Sequence, residues 1–234
     1  MAGTLFDKTF LILGSQLLVT WASTVFVLKY VTGLYQAGVR GVTAVTNQDG
    51  ELDLALDYDT SKIYLILLFA VDLILFTVLF TAGTKNLAVG IPVFTLWSIV
   101  TGIMLALSLI SVDENIGARA LALTVTVTFA CALAGIYSGI DFSFLGQGLF
   151  IALLLLLAGN VFRIFANMAR WKQRIMAFFG VAIFTGYLLF DFDRLSKAAE
   201  HPGLNTWNQA MEFSIEIYLD VIYLFLELAD ALSE

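Results

Sequence analysis

Residues 208–230, NQAMEFSIEIYLDVIYLFLELAD, set Glu212, Glu216, Asp220, Glu227 and Asp230 among Phe, Leu, Ile and Tyr residues apolar enough to enter a bilayer. At about 100° per residue, Glu212, Glu216, Asp220, Tyr223, Glu227, Asp230 and Glu234 all fall inside an arc of roughly 80°. The acids therefore form one stripe of an amphipathic helix, opposite Phe213, Ile217 and Leu224. An Asp at the centre of a membrane helix costs about 2.5–3.5 kcal/mol on insertion scales, while each Leu, Ile or Phe returns only about 0.3–0.6. Lipid is thus excluded as the neighbour of most of these acids. What remains is a water-filled cavity within a bundle, or carboxyls that are protonated or Arg-paired between helices. A helix lying in the interface plane fits less well, because such helices use Lys and Arg to meet anionic headgroups. Asp230 and Glu234, near the chain end, are expected to be solvated.

Three further charges fall in apolar text. Asp191, in LLFDFDRLSK, has Arg194 three residues on, a spacing that allows a local ion pair on one helix face. Asp72 lies within LLFAVDLILF and Arg163 within GNVFRIF. A charge at membrane depth is a functional hypothesis by default, whereas pairing of Arg163 with the acidic stripe would be structural. Enzyme constellations are missing: the chain has no Walker-type loop, no paired-His zinc motif and no serine nucleophile elbow, so it is not expected to be an enzyme. His201, in AEHPGLN, reads as a turn residue because Pro and Gly follow it. Cys131, the single Cys, allows neither an internal disulfide nor a cysteine metal site and suits a packing role.

The elements that must position these residues are membrane helices. Of 234 residues 60% are hydrophobic and only 13% charged, against roughly half and a quarter in soluble domains. Apolar runs of about 20 residues mark seven spans, near 9–32, 62–82, 90–111, 119–139, 145–167, 175–192 and 209–231. The expected fold is an all-α polytopic membrane protein, one seven-transmembrane-helix bundle over residues 1–234, with a lipid bilayer as its surroundings. The first run is longer than a signal-peptide core and is read as a retained helix. Pro92 is placed at the start of the third span, where its missing N–H costs least. GIYSG, residues 135–139, is a small-xxx-small pattern that favours close helix packing. Net charge is −7 with no basic run, so no nucleic-acid partner is expected.

Residues 33–61 hold the one long connection, with Asp49, Glu51, Asp53, Asp57 and Asp59. ELDLALDYD alternates as an edge strand or surface hairpin would. EF-hand spacing is absent, which leaves a solvated acidic loop as the leading reading and a calcium or partner site as the alternative. Arg163, Arg170, Lys172 and Arg174 around the 5/6 connection, with Arg40, Lys62 and Arg119, fall on one side and Lys8, Lys85, Arg194 and Lys197 on the other. The positive-inside rule would put the 5/6 connection in the cytoplasm and the N-terminus outside, but the small bias leaves the orientation open.

Residues 62–230 resemble the Bax inhibitor-1 family, also called transmembrane BAX inhibitor motif proteins, through five stretches of text. These are LFTAGTKNLAVGIPVFTLWSIVTGIML, GARALALTVTVTFACALAGIYSGIDFSFLG, LGQGLFIALLLLLAGNVFRIF, GVAIFTGYLLFDFDRL and SIEIYLDVIYLF. The resemblance implies six helices around a central C-terminal one, a bacterial-type member in the inner membrane, and a pH-sensitive calcium leak gated by two aspartates. Their matching positions are Asp191 and Asp220, which would share a proton and, once it is lost, offer oxygen ligands to passing Ca²⁺. No resident cofactor is implied. The chain departs from the family in five places, one being a 4/5 connection without the basic residues that help place the family's N-terminus in the cytoplasm. Lys85 is only a displaced match for a basic residue after the second helix that pairs with the sixth-helix aspartate. Arg163 replaces an uncharged polar residue, Glu212 and Glu216 are additional acids, and the acidic loop is long.

Two functions follow as expectations. The first is a cation leak with Asp191 and Asp220 as sensor, gate and Ca²⁺ ligands, with Glu212, Glu216, Tyr223, Glu227 and Asp72 lining the path, and with Arg163, Arg194 and Lys85 as ion-pair partners. The second is a non-conducting membrane subunit or regulator that assembles with a partner such as a membrane protease.

Overall fold

The computed structural model describes residues 3–37, 42–46, 52–56, 58–110, 112, 114–165 and 169–233. Seven helices run in chain order: α1 (Leu5–Gln36), α2 (Tyr58–Val78), α3 (Leu87–Leu109), α4 (Glu114–Tyr137), α5 (Leu145–Phe165), α6 (Arg170–Ala199) and α7 (Trp207–Leu232). The chain is an all-α polytopic membrane protein. Six helices, α1 to α6, are long and apolar enough to cross a membrane by length and composition. The exception is α7, whose acids interrupt its apolar text.

The helices overrun the apolar runs at several ends, because hydropathy marks only the lipid-facing length. Side-chain caps mark two of the starts. Thr206 accepts from the Gln209 amide at the start of α7, and Asn86 accepts from the Ala88 amide at the start of α3. Since α3 begins at Leu87, Pro92 sits in its second turn and not at its start. There it cannot return a hydrogen bond to the residue four back, a cost that the first turn would have spared it. The second apolar run divides into α2 and a π-helical turn, Leu79–Gly83. Between α1 and α2, strands β1 (Val42–Thr46) and β2 (Leu52–Leu56) pair antiparallel from Val42↔Leu56 to Thr46↔Leu52. The hairpin form of the alternating text is thus the observed one. Asp49, Glu51 and Asp57 lie outside the described residues.

The chain divides into two compact units, Met1–Phe10 with Glu114–Glu234, and Leu11–Asp113. In the second unit, polar side chains join helices as expected where lipid gives apolar groups no reason to associate. Gln16 on α1 donates to Thr95 Oγ1 (3.3 Å) and accepts from Ser98 Oγ (3.0 Å), and Thr24 Oγ1 donates to the Gly102 carbonyl (3.0 Å). The Trp97 indole of α3 donates to Asp72 Oδ1 of α2 at 2.9 Å.

In the first unit, α6 packs against α4, α5 and α7, and α4 also meets α7. Buried residues recur along the whole of α7, including Met211, Ile215, Ile217, Tyr218 and Leu224, which have no exposed surface. Packing is closest where glycine removes a side chain. A Cβ on Gly135 of α4 would stand 2.7 Å from Phe192 Cβ, 3.0 Å from the Leu189 carbonyl oxygen and 3.1 Å from the Asp193 nitrogen. Two of those three atoms are α6 backbone, which cannot swing aside. Gly135 therefore serves packing within the chain, whereas Gly139, the other small residue of the pattern, lies past the end of α4 at φ 68° with nothing within 4 Å of an added Cβ.

One end of this unit is held by polar contacts. Lys8, buried near the start of α1, donates to the Asn205 carbonyl (2.8 Å) and Asn205 Oδ1 (2.9 Å) in the 6/7 connection. Lys197 of α6 binds Asp141, Ser143 Oγ (3.0 Å) and Asp193 (2.6 Å), while Asp193 Oδ2 accepts from the Phe142 amide at 3.1 Å. The 4/5 connection is thereby tied to the end of α6. The hydrogen bond from Lys197, then those from Ser143, hold the Asp141 carboxyl well below the usual carboxylate range.

Two outcomes are expected. Gly135→Ala should destabilise by about 1–3 kcal/mol through overpacking, read by thermal unfolding in detergent. Gly148→Ala, with nothing within 4 Å of its new Cβ, should be neutral or stabilising by up to about 1 kcal/mol; equal losses in the two would contradict this packing. Because its folded value is lowered, Asp141 contributes stability above the ordinary carboxylate range and keeps it until pH falls through the lowered value. Lys197→Met should raise Asp141 toward the ordinary range in a carboxyl NMR titration, with the Ser143 hydrogen bonds keeping it somewhat below, and an unmoved titration would show that Lys197 is not the main cause.

Candidate functional site

The helical period places the site. On α6, Leu188, Phe192 and Leu195 are buried, and Asp191 on the same helix is 4% exposed. On α7, Ile217, Tyr218 and Leu224 bracket Asp220, which is 7% exposed. The two carboxyls come within hydrogen-bonding reach of each other across the α6–α7 contact. A hydrogen bond between two carboxyl groups requires a proton on one of them. Among the described residues Asp220 Oδ2 is buried and receives no donor.

Arg194, one turn beyond Asp191, contributes the nearest positive charge. Its Nη1 lies 3.5 Å from Asp191 Oδ1 and 3.0 Å from Glu216 Oε2 of α7. The guanidinium carbon is 5.5 Å from the ring centres of both Phe190 and Phe213, within cation–π range. Beside this group an open cleft of about 340 Å³ is lined by Arg194, Lys197, His201, Gln209 and Phe213, among others. Glu212 accepts from Gln209 Nε2 at 3.1 Å. His201 is exposed, and its Nδ1 sits 3.0 Å from the Lys197 carbonyl oxygen at the start of the turn formed by Pro202–Leu204.

Four of the residues singled out in the sequence thus meet: Asp191, Asp220, Glu216 and Arg194. The others are placed elsewhere. Tyr223 is 45% exposed and stacks on Phe184 at 5.3 Å. Glu227 packs on Gly180, where an added Cβ would come within 2.4 Å of its carboxyl carbon. Arg163, in the last turn of α5, binds Asp230 at 2.6 Å. That pairing replaces the solvated Asp230 expected from its terminal position: Arg163 reaches it because both lie at the same end of the unit, each about one-third exposed. Asp72 holds its Trp97 contact and Lys85 lies exposed in the turn before α3, both in the other unit.

The structure adds residues that were not singled out. Tyr187 of α6 is close enough to feel the charge of both Asp220 and Asp191. Asp193, buried at 4% exposure, anchors Lys197 and the Phe142 amide. The Asp193–Lys197 spacing of four is a readable helix signal, but the Asp141 partner joins only through the tertiary fold. Among the described residues no group of three or more His, Cys, Asp or Glu side chains converges as a metal site.

Comparison with known proteins fits this arrangement. The family model described as "Inhibitor of apoptosis-promoting Bax1" matches residues 3–234. Protein LIFEGUARD 1 of Arabidopsis thaliana is 35% identical over 95 residues, 41% of this chain and 38% of its own length. A Streptococcus pyogenes membrane protein, named only as uncharacterized, is 26% identical over 161 residues, 68% of this chain and 69% of its own. The Golgi anti-apoptotic protein of vaccinia virus is 31% identical over 121 residues, 52% of this chain and 48% of its own. The chain thus spans about two-fifths to two-thirds of these relatives. With the family model covering nearly every residue and its helices suited to the bilayer, this chain belongs to the Bax inhibitor-1 family of multi-pass membrane proteins.

Proposed function

We propose that the protein is a pH-sensitive leak for calcium or a similar cation, gated by the Asp191–Asp220 pair. One observation carries the reading: two buried carboxyls on adjacent helices lie within hydrogen-bonding reach, with Asp220 Oδ2 receiving no donor. Two like charges this close are costly together, so the pair holds one proton and titrates as a unit. With the proton in place the hydrogen bond ties α6 to α7. Its loss leaves two mutually repelling carboxylates, which drives the helices apart and offers oxygen ligands. Ca²⁺ takes six to eight oxygens, whereas the pair supplies at most four, so water completes the shell and the ion passes instead of staying.

Liposomes holding the purified protein test this reading. Ca²⁺ entry should rise between about pH 6 and pH 8 in the wild type as the shared proton is lost. Asp191→Asn and Asp220→Asn should each flatten that dependence, because an amide cannot complete the proton-sharing pair. Equal flux in all three proteins at every pH contradicts the gate. No flux in any of them favours the assembly role, which a co-purifying membrane partner in mild detergent would then reveal.

A further inference from the structure

We propose that Arg194 is a built-in counter-cation: from within α6 it holds the place beside Asp191 and Glu216 that a crossing cation must take. For its effect on transport the proposal rests on the leak reading above; its binding consequence stands apart from that reading.

The contacts form a chain from solvent to the buried pair. Arg194 lines the cleft, one of its nitrogens reaches both Asp191 (3.5 Å) and Glu216 (3.0 Å), and Asp191 in turn meets Asp220. A cation moving inward from the cleft would therefore meet the guanidinium before the aspartates. Charge balance gives the same result. With one proton shared by the pair, Asp191, Asp220 and Glu216 carry two negative charges, of which Arg194 offsets one. A divalent ion in place of Arg194 would neutralise both.

The surrounding groups make the hold reversible. Among the described residues Arg194 is the only donor to Glu216, so displacing the arginine frees that carboxylate without breaking another bond. Phe190 and Phe213 flank the guanidinium and favour a cation without adding a competing acceptor. The other charged group facing Arg194 from α7 is Glu212, occupied by Gln209. Of the basic groups at the cleft, Lys197 is engaged by Asp141 and Asp193, and His201 lies against the Lys197 carbonyl. Neither is placed to replace Arg194.

Thermal unfolding of the detergent-solubilised full chain, with CaCl₂ against EGTA, provides a test that needs no transport. Wild type should be nearly indifferent to Ca²⁺, Arg194→Gln should be stabilised by it, and Arg194→Gln combined with Glu216→Gln should lose that response. If Arg194→Gln does not fold, Arg194→Lys replaces it: a strongly hydrated ammonium with no planar fork holds two carboxylates less well, giving a Ca²⁺ shift smaller than for Gln but larger than in wild type. In liposomes Arg194→Gln should raise Ca²⁺ entry by about tenfold or more, a small part of what removing a unit charge a few Å away allows at an effective dielectric near 20. A Ca²⁺ shift without flux in any protein supports the counter-cation and contradicts the leak. Flux with an Arg194→Gln or Arg194→Lys that responds to Ca²⁺ no more than wild type keeps the leak and overturns the counter-cation.

Discussion

The structure depends on one constraint: two carboxyl groups are buried against each other where α6 meets α7. An ionised carboxylate without a partner is very costly in such surroundings. Each feature nearby answers that cost in a different way. The aspartates meet each other, Arg194 brings a positive charge from the adjacent turn, and Glu216 takes the other side of the same nitrogen. Farther along the acidic face the costs are met separately, by Gly180 making room for Glu227 and by Arg163 pairing with Asp230.

This arrangement explains why α7 does not read as an ordinary membrane helix. Lipid would not tolerate its acids, and the apolar residues between them cannot offset the expense of exposing them there. Helices α6 and α4 cover it instead. Its interior therefore combines two jobs. Ile215, Ile217, Tyr218 and Leu224 pack it in place, and Asp220 and Glu216 set carboxyl groups beside Asp191 and Arg194. Close packing at Gly135 fixes α4 against the same stretch of α6 that carries Asp191 and Asp193, so the buried aspartates of α6 stand on a rigid frame.

Much of this was legible in the residues. The apolar runs gave the seven helices, the helical period gathered the acids on one face, and the spacing of Asp191 and Arg194 anticipated their contact. Helix ends were less legible, because a run such as 175–192 records the lipid-facing part of α6 while the helix continues through polar residues from Arg170 to Ala199. Partners brought together by the tertiary fold were the least legible. Nothing local to Asp141 points to Lys197, and nothing local to Arg163 decides between the middle and the end of the acidic stripe. The π-helical turn at Leu79–Gly83 likewise has no counterpart in the apolar pattern.

The central claim is that Asp191 and Asp220 hold one proton between them. Infrared spectroscopy of the reconstituted protein reads this directly, since a protonated carboxyl has a C=O stretch separate from that of carboxylates. At neutral pH the account predicts a protonated-carboxyl band that disappears at higher pH and that both Asp191→Asn and Asp220→Asn alter. A spectrum showing only carboxylates at neutral pH, or a band that neither substitution changes, would contradict it.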